Sequence, residues 1–230
     1  MVEYHSEFYN KLDDSEQWIR LTDGCYRNCW NCYAPQKKRV YQLPEIKRNK
    51  VVFLDMNFLY AHPEPGKILE QLSKIRVNKK VVYYDFFCGL DFTLLSQDLA
   101  DLCKKARVGF FNNKKNYIPG LRIAWDRGIQ EQYKIKDSIK RIYKAGYRPG
   151  LSHCFILSNG KIPYSECEKK LRILLKWNIQ VRDCWYDNKK RGSVNPIYWT
   201  AEECKKFGRL CRDHNLLILY GIFPNIKEGL

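Results

Sequence analysis

The sequence predicts an α/β fold with mostly parallel strands, arranged as a partial (β/α)6-type barrel in a single domain. Three observations predict it. Short β-rich runs alternate with longer helical patterns along the chain, an order that argues for a parallel sheet with helical crossovers. The 230 residues admit about six to seven β/α units and are tight for a closed eight-fold barrel, which typically takes about 250. No linker or internal repeat divides the chain. Residues 1–16 read as an acidic N-terminal extension and 17–230 as the core domain.

Strands are expected at Gln17–Thr22, Val51–Asp55, Lys80–Phe86, Gly120–Asp126, Gly150–Leu157, Ile179–Trp185 and Leu216–Gly221. Pro65 suits a helix start, and Ile68, Leu69, Leu72 and Ile75 form one apolar stripe. Leu95, Leu99, Leu102 and Ala106 form a second. Ile135, Ile139, Ile142 and Tyr143 form a third, stopped by Gly146. Cys167, Leu171, Leu174 and Leu175 form a fourth. Thr200-Ala-Glu-Glu203 is a capping box that opens a stripe of Cys204, Phe207 and Cys211. The spacing of three and four is the helical period, and the terminal residues satisfy orphan backbone groups.

Side chains alternate across a strand. Arg122, Ala124 and Asp126 therefore share one face, as do Tyr83 and Asp85, and Arg20 and Thr22. Inward positions of an ordinary barrel are branched and apolar. A polar inner face implies either a lumen that holds a ligand or an uncovered edge. Chemistry in such folds sits at the carboxyl ends of the strands.

A hydrophobic content of 45% and an aromatic content of 14% exclude wholesale disorder. No run of about 18 apolar residues is present, so no membrane span is expected, and the N-terminus lacks a signal-peptide layout. A cytoplasmic protein is expected. The net charge of +16 suits an anionic partner or a lysine-rich solvated surface.

The sharpest feature is Cys25-Tyr-Arg-Asn-Cys29-Trp-Asn-Cys32-Tyr33, a C-x3-C-x2-C spacing after the first strand. With 10 cysteines in 230 residues, chance supplies it roughly 0.02 times per chain of this length. Gly24, Asn28 and Asn31 place it in a loop. Three thiolates on one loop suit a soft metal: an iron–sulfur cluster, zinc or cuprous copper. Zinc would need a fourth ligand such as His5, His62 or another cysteine.

With the aromatics Trp30 and Tyr33 flanking the third cysteine, this motif resembles the signature of the radical S-adenosylmethionine superfamily. The motif covers residues 25–33, and the resemblance in architecture covers most of the chain. It implies a [4Fe–4S] cluster held by Cys25, Cys29 and Cys32, with the methionyl amino and carboxylate groups of S-adenosylmethionine on the fourth iron. One electron then cleaves the sulfonium, and a 5′-deoxyadenosyl radical abstracts hydrogen from substrate. It also implies a reducing partner such as a flavodoxin or ferredoxin.

The family often has Gly-Gly-Glu after the second strand, where this chain has Leu54-Asp55-Met56-Asn57-Phe58. Asp55 and Asn57 are candidates to accept from the methionyl ammonium, or caps of the following turn. Tyr33, Asp126, Ser152 and His153 are candidates for cofactor contacts, and Arg122 for neutralising a carboxylate. Cys88, after the third strand, is either a catalytic hydrogen-atom donor or a buried loop cysteine. Cys103, Cys167, Cys204 and Cys211 fall on apolar stripes and read as core.

Basic clusters fall at Lys37–Arg39, Lys47–Lys50, Lys104–Arg107, Lys114–Lys115 and Lys189–Arg191, with Phe110, Phe111, Tyr117, Trp185, Tyr186, Tyr198 and Trp199 near several of them. Such patches can grip phosphates and stack bases. The Lys37–Lys50 run is expected to rim the site, which favours a phosphate-bearing or nucleic-acid substrate. The substrate side is expected from the core loops and from Tyr186–Trp199 and Ile222–Ile226. Two other classes fit the cysteines: a zinc-stabilised nucleic-acid-binding protein, and a non-catalytic iron–sulfur electron-transfer protein.

Overall fold

The computed structural model describes residues 10–29, 32, 34–185 and 198–222. Trp30, Asn31, Tyr33, residues 186–197 and residues 223–230 lie outside the described residues, and with them most of the expected substrate side. The chain opens with strands β1 (Asn10–Leu12), β2 (Gln17–Ile19) and β3 (Thr22–Asp23). The cysteine loop leads to β4 (Arg39–Val40), β5 (Lys50–Phe53) and helices α1 (Phe58–Ala61) and α2 (Pro65–Lys74). Strands β6 (Arg76–Val77), β7 (Lys80–Val81) and β8 (Tyr83–Phe86) precede α3 (Gln97–Lys105). Strands β9 (Val108–Phe111), β10 (Tyr117–Ile118) and β11 (Arg122–Ala124) lead to α4 (Gln132–Lys144). Strand β12 (His153–Ser158), α5 (Tyr164–Lys176), β13 (Gln180–Trp185) and α6 (Ala201–Leu219) complete the order.

The main sheet runs β1-β2-β5-β8-β9-β10. Its four central strands are parallel and both edges are antiparallel. A second sheet, β11-β12-β13, is wholly parallel. The two meet where Leu90, leaving β8, bridges Ile123 of β11, with the Leu90 N–H donating to the Arg122 carbonyl at 2.8 Å. The result is a mixed α/β fold with mostly parallel sheets, and among the described residues no barrel closes. Residues 10–12, inside the expected extension, are an edge strand of the main sheet.

Alternation sorts the strands. Ile19, Val51, Phe53, Tyr84 and Phe86 on one face, and Ile123, Cys154, Ile156 and Val181 on the equivalent face of the second sheet, are fully buried in one core with the helical stripes. Each large aliphatic or aromatic side chain there is worth about 1.5–3 kcal/mol of transfer free energy. The helix punctuation follows the expected chemistry: Pro65 sits in the first turn of α2, Thr200 and Glu203 form both bonds of a capping box, and Gly146 follows α4 at φ +87°.

Several expectations change. Leu216–Gly221 is not a strand: α6 runs through Leu219, because Cys204, Phe207, Cys211, His214 and Ile218 continue one buried helical stripe and no proline or glycine falls between Gly208 and Gly221. Lys80–Phe86 divides at Val82. Its first part pairs back on β6 through Asn78 and Lys79, both at positive φ, the conformation of a tight hairpin turn. Phe110, Phe111 and Tyr117 belong to the strands of the β9–β10 hairpin, and of the three only Phe111 lines the cavity. That hairpin folds over the amino-end half of the inner face. Tyr117 packs on Tyr83 at 4.4 Å, and the Phe111 N–H donates to Asp85 at 3.1 Å. At its tip the Lys115 amine meets Ser15 at 2.6 Å, with Glu16 and Asp13 nearby, and its carbonyl accepts from Lys50 at 2.6 Å.

Asp55 ties the first turn of the sheet together. It is fully buried, and its carboxylate accepts from the Leu21 N–H at 3.3 Å and the Thr22 hydroxyl at 2.6 Å. Burial pushes its pKa from 3.8 up to about 7 against those bonds and the Arg20 charge. Between those values the unfolded chain has released a proton that the folded chain keeps, so this group's contribution to stability falls as pH rises from about 4 to 7. Asp55→Asn is therefore expected to flatten the pH dependence of the denaturation midpoint across that window; an unchanged slope would remove Asp55 as its source.

Candidate active site

The cysteine loop leaves β3 through Gly24, whose φ is +106°, and a Cβ there would lie 2.9 Å from the Lys37 carbonyl. Only glycine lets the two arms of the loop approach so closely. The Cys25 N–H closes the loop on the Pro35 carbonyl at 3.0 Å, and the Cys32 N–H bonds the Cys29 carbonyl at 2.9 Å.

Cys25, Cys29 and Cys32 line a cavity of about 650 Å³, within the usual range for small-molecule sites. Its other walls come from the carboxyl ends of the strands. Met56 and Asn57 follow β5, the Phe87–Phe92 turn follows β8, Phe111 ends β9 and Asn113 follows it. The second sheet supplies Arg122, Ala124 and Asp126, then Phe155 and Leu157, then Arg182 and Cys184. These alternate positions are the face opposite the buried core. A second hollow of about 610 Å³, beside α2 and near Leu102 of α3, carries no cysteine or histidine.

Arg27, inside the motif, fastens the loop. Its guanidinium donates to Asp91 at 3.2 Å and Glu131 at 2.9 Å, lies 5.0 Å from the Phe92 ring centre, and reaches the Cys29 thiol. Asn57, the cap of α1, donates its amide to the Cys25 sulfur at 3.3 Å and to Asp91 at 2.9 Å. Burial first, and Asp126 second, push the Cys29 thiol up, opposed by Arg27 and Arg127. Burial also pushes Cys88 up to about 11, and its thiol meets the Met56 sulfur at 4.0 Å.

Among the described residues no three His, Cys, Asp or Glu side chains stand at metal-binding geometry. The donor chemistry nevertheless suits a soft metal: three thiols open on one volume, and the Asn57 N–H already donates to one of them. Such outer contacts tune thiolate centres, and occupancy would require the thiols to lose their protons.

Of the sequence candidates, Cys25, Cys29, Cys32, Asn57, Cys88 and Asp126 share this cavity. Asp55 does not line it. Ser152 is buried and accepts from the Leu121 N–H at 3.1 Å, locking β11 to β12. His153 is buried against Phe110 and faces Gln180 and Arg182. Tyr33 lies outside the described residues. The Asp126 carboxylate, raised by burial against Lys170 and Arg27, has no hydrogen bond among the described residues. The buried Lys170 amine donates to the carbonyls of Trp125 and Arg127, on either side of it.

Among the described residues no side chain of Lys37–Lys50 lines the cavity, but the run lies near it: Arg39 pairs with Asp23 at the base of the cysteine loop, and the Lys50 amine is 5.9 Å from the ring centre of Phe111, which does line it. Cys103, Cys167, Cys204 and Cys211 are buried as expected. Sequence reasoning missed Arg27, Asp91, Glu131, Arg182 and Cys184. Arg182 and Cys184 were findable, since alternation along Gln180–Trp185 marks them as it marked Arg122 and Asp126. No protein-family model matches the chain, and no curated protein matches it.

Removing Arg27 leaves Asp91 and Glu131 close together without their cation. Arg27→Met is expected to cost about 3 kcal/mol in chemical denaturation, and distinctly less in a Glu131→Gln background. Equal costs in both backgrounds would show that the pair with Glu131 does not hold the loop.

Proposed function

We propose that this chain is a radical S-adenosylmethionine enzyme. The observation that carries the reading is the C-x3-C-x2-C loop, with all its cysteines opening on a cavity at the carboxyl ends of parallel strands. Cys25, Cys29 and Cys32 would hold a [4Fe–4S] cluster, leaving one iron for S-adenosylmethionine. When bound, the pair supplies a 5′-deoxyadenosyl radical that takes hydrogen from the substrate. On this reading the two sheets joined at Leu90 and Ile123 are parts of a partial barrel.

The chain's own residues bind, orient and exclude water. Asn57 fixes the Cys25 sulfur, and Arg27 orders the loop that carries it. Asp126, without a hydrogen bond among the described residues and flanked by the carbonyls that Lys170 holds, suits the ribose hydroxyls. Leu90, Phe92, Phe155 and Leu157 give the cavity apolar walls, which keep water from a reactive intermediate. Cys88 keeps its proton and is the candidate hydrogen-atom donor to a substrate radical; its thiyl would be returned by an electron from a reducing partner of flavodoxin or ferredoxin type and a proton from solvent. The expected setting is the cytoplasm, and no helix among the described residues is long and apolar enough to cross a membrane.

Anaerobic reconstitution tests this. About four irons per chain, a brown colour, and 5′-deoxyadenosine after addition of dithionite and S-adenosylmethionine are expected. Cys29→Ala should lose the iron and Cys204→Ala should keep it. A colourless zinc protein, or an iron protein that never yields 5′-deoxyadenosine with candidate substrates, overturns the proposal.

A further inference from the structure

The positive charges that line the cavity differ in how they are answered. Arg27 is paired with Asp91 and Glu131, and Arg122 with Asp85 at 2.6 Å. Arg182 has no carboxylate partner among the described residues. Its Nε donates to His153 Nδ1 at 3.4 Å, while His153 Nε2 lies 2.9 Å from Gln180 Oε1 and the Gln180 amide donates to the Gly150 carbonyl at 2.5 Å. Each link fixes the next. Gln180 presents an oxygen to the ring, so the imidazole proton sits on Nε2 and Nδ1 is left to accept from Arg182. The arrangement occupies one N–H of the guanidinium, and the side chain lines the cavity.

Arg182 lies two strands from Arg122 on the same face, roughly 10 Å across the sheet. Asp85 answers Arg122, which leaves Arg182 on this wall without an ion-pair partner among the described residues. Phe87, half exposed, and Phe111 add aromatic rings, and Asn113 an amide. A guanidinium fork matches the oxygens of a phosphate, and flat rings accept a base.

We propose that Arg182, aimed by the Gln180–His153 chain, binds the phosphate of a nucleotide-type substrate whose base rests on Phe87 and Phe111. His153 is then a positioning residue that touches Arg182 and not the ligand. The inference deepens the proposed function, since it names the substrate class for the same cavity, but binding needs no cluster and is measured apart from it.

The test is titration calorimetry of the chain under reducing conditions with nucleoside 5′-monophosphates, the matching nucleosides and inorganic phosphate, and of the cluster-reconstituted chain with S-adenosylmethionine. A monophosphate is expected to bind about 10- to 100-fold more tightly than its nucleoside, and Arg182→Gln to erase that difference. His153→Phe should weaken monophosphate binding, and His153→Gln, whose amide oxygen can still accept from Arg182, should restore most of it. Circular dichroism checks that each variant is folded. No monophosphate binding, equal affinity for nucleoside and monophosphate, or no effect of Arg182→Gln overturns the proposal. So does loss of S-adenosylmethionine binding alone in Arg182→Gln, which would assign the guanidinium to the cofactor's carboxylate. None of these outcomes touches the 5′-deoxyadenosine test.

Discussion

Parallel strands give each residue two destinations, and this protein uses both to the full. Along β11, β12 and β13 the positions that enter the core are Ile123, Cys154, Ile156 and Val181, while the positions between them carry Arg122, Asp126, Arg182 and Cys184 into a cavity. The helices can cover only one face, so the opposite face must be satisfied by ligand, solvent or its own partners. That division fixes where chemistry can occur, and the carboxyl ends of β5 and β8 add Asn57 and Cys88 to the same volume.

The electrostatics of the cavity follow from what that face holds. Asp85 and Arg122 neutralise each other, although burial still pushes Asp85 up to about 6. Arg27 binds two carboxylates that would otherwise repel. Lys170, with a buried amine and no carboxylate bond, spends its donors on the carbonyls around Asp126. Among the described residues the cavity's charges are paired except for Arg182, which has no carboxylate partner, and Asp126, which has no hydrogen bond. A guanidinium and a carboxylate open on one volume are suited to a ligand with both acceptors and hydroxyls.

Much of this was readable in the residues. The cysteine spacing, the helix starts at Pro65 and Thr200, and the polar face of Arg122 and Asp126 rest on local chemistry, and local chemistry is what a sequence displays. The misreadings share a different cause. Leu216-Leu-Ile-Leu-Tyr220 looks like a strand, yet a helix already nucleated at Thr200 continues through it because Ile218 falls on its buried stripe. Phe110 and Tyr117 look like a surface grip beside Phe111, but pairing across the Asn112–Asn116 turn directs both away from the cavity that Phe111 lines. The partners of Arg27 lie 64 and 104 residues away, and no spacing rule reaches that far. Asp55 alternates with Asn57 in sequence, yet the turn after β5 directs it to Leu21 and Thr22.

The β9–β10 hairpin bears on the order of events at the site. By packing Tyr117 on Tyr83 and seating Lys115 among Ser15, Asp13 and Glu16, it occupies the amino-end half of the concave face. Among the described residues the cavity therefore opens toward the carboxyl ends of the strands. On the proposed reading two molecules share that one approach and are loaded in sequence, the deeper before the shallower, and leave in reverse. Steady-state kinetics of such a reaction would then follow a compulsory order, with the later ligand trapping the earlier.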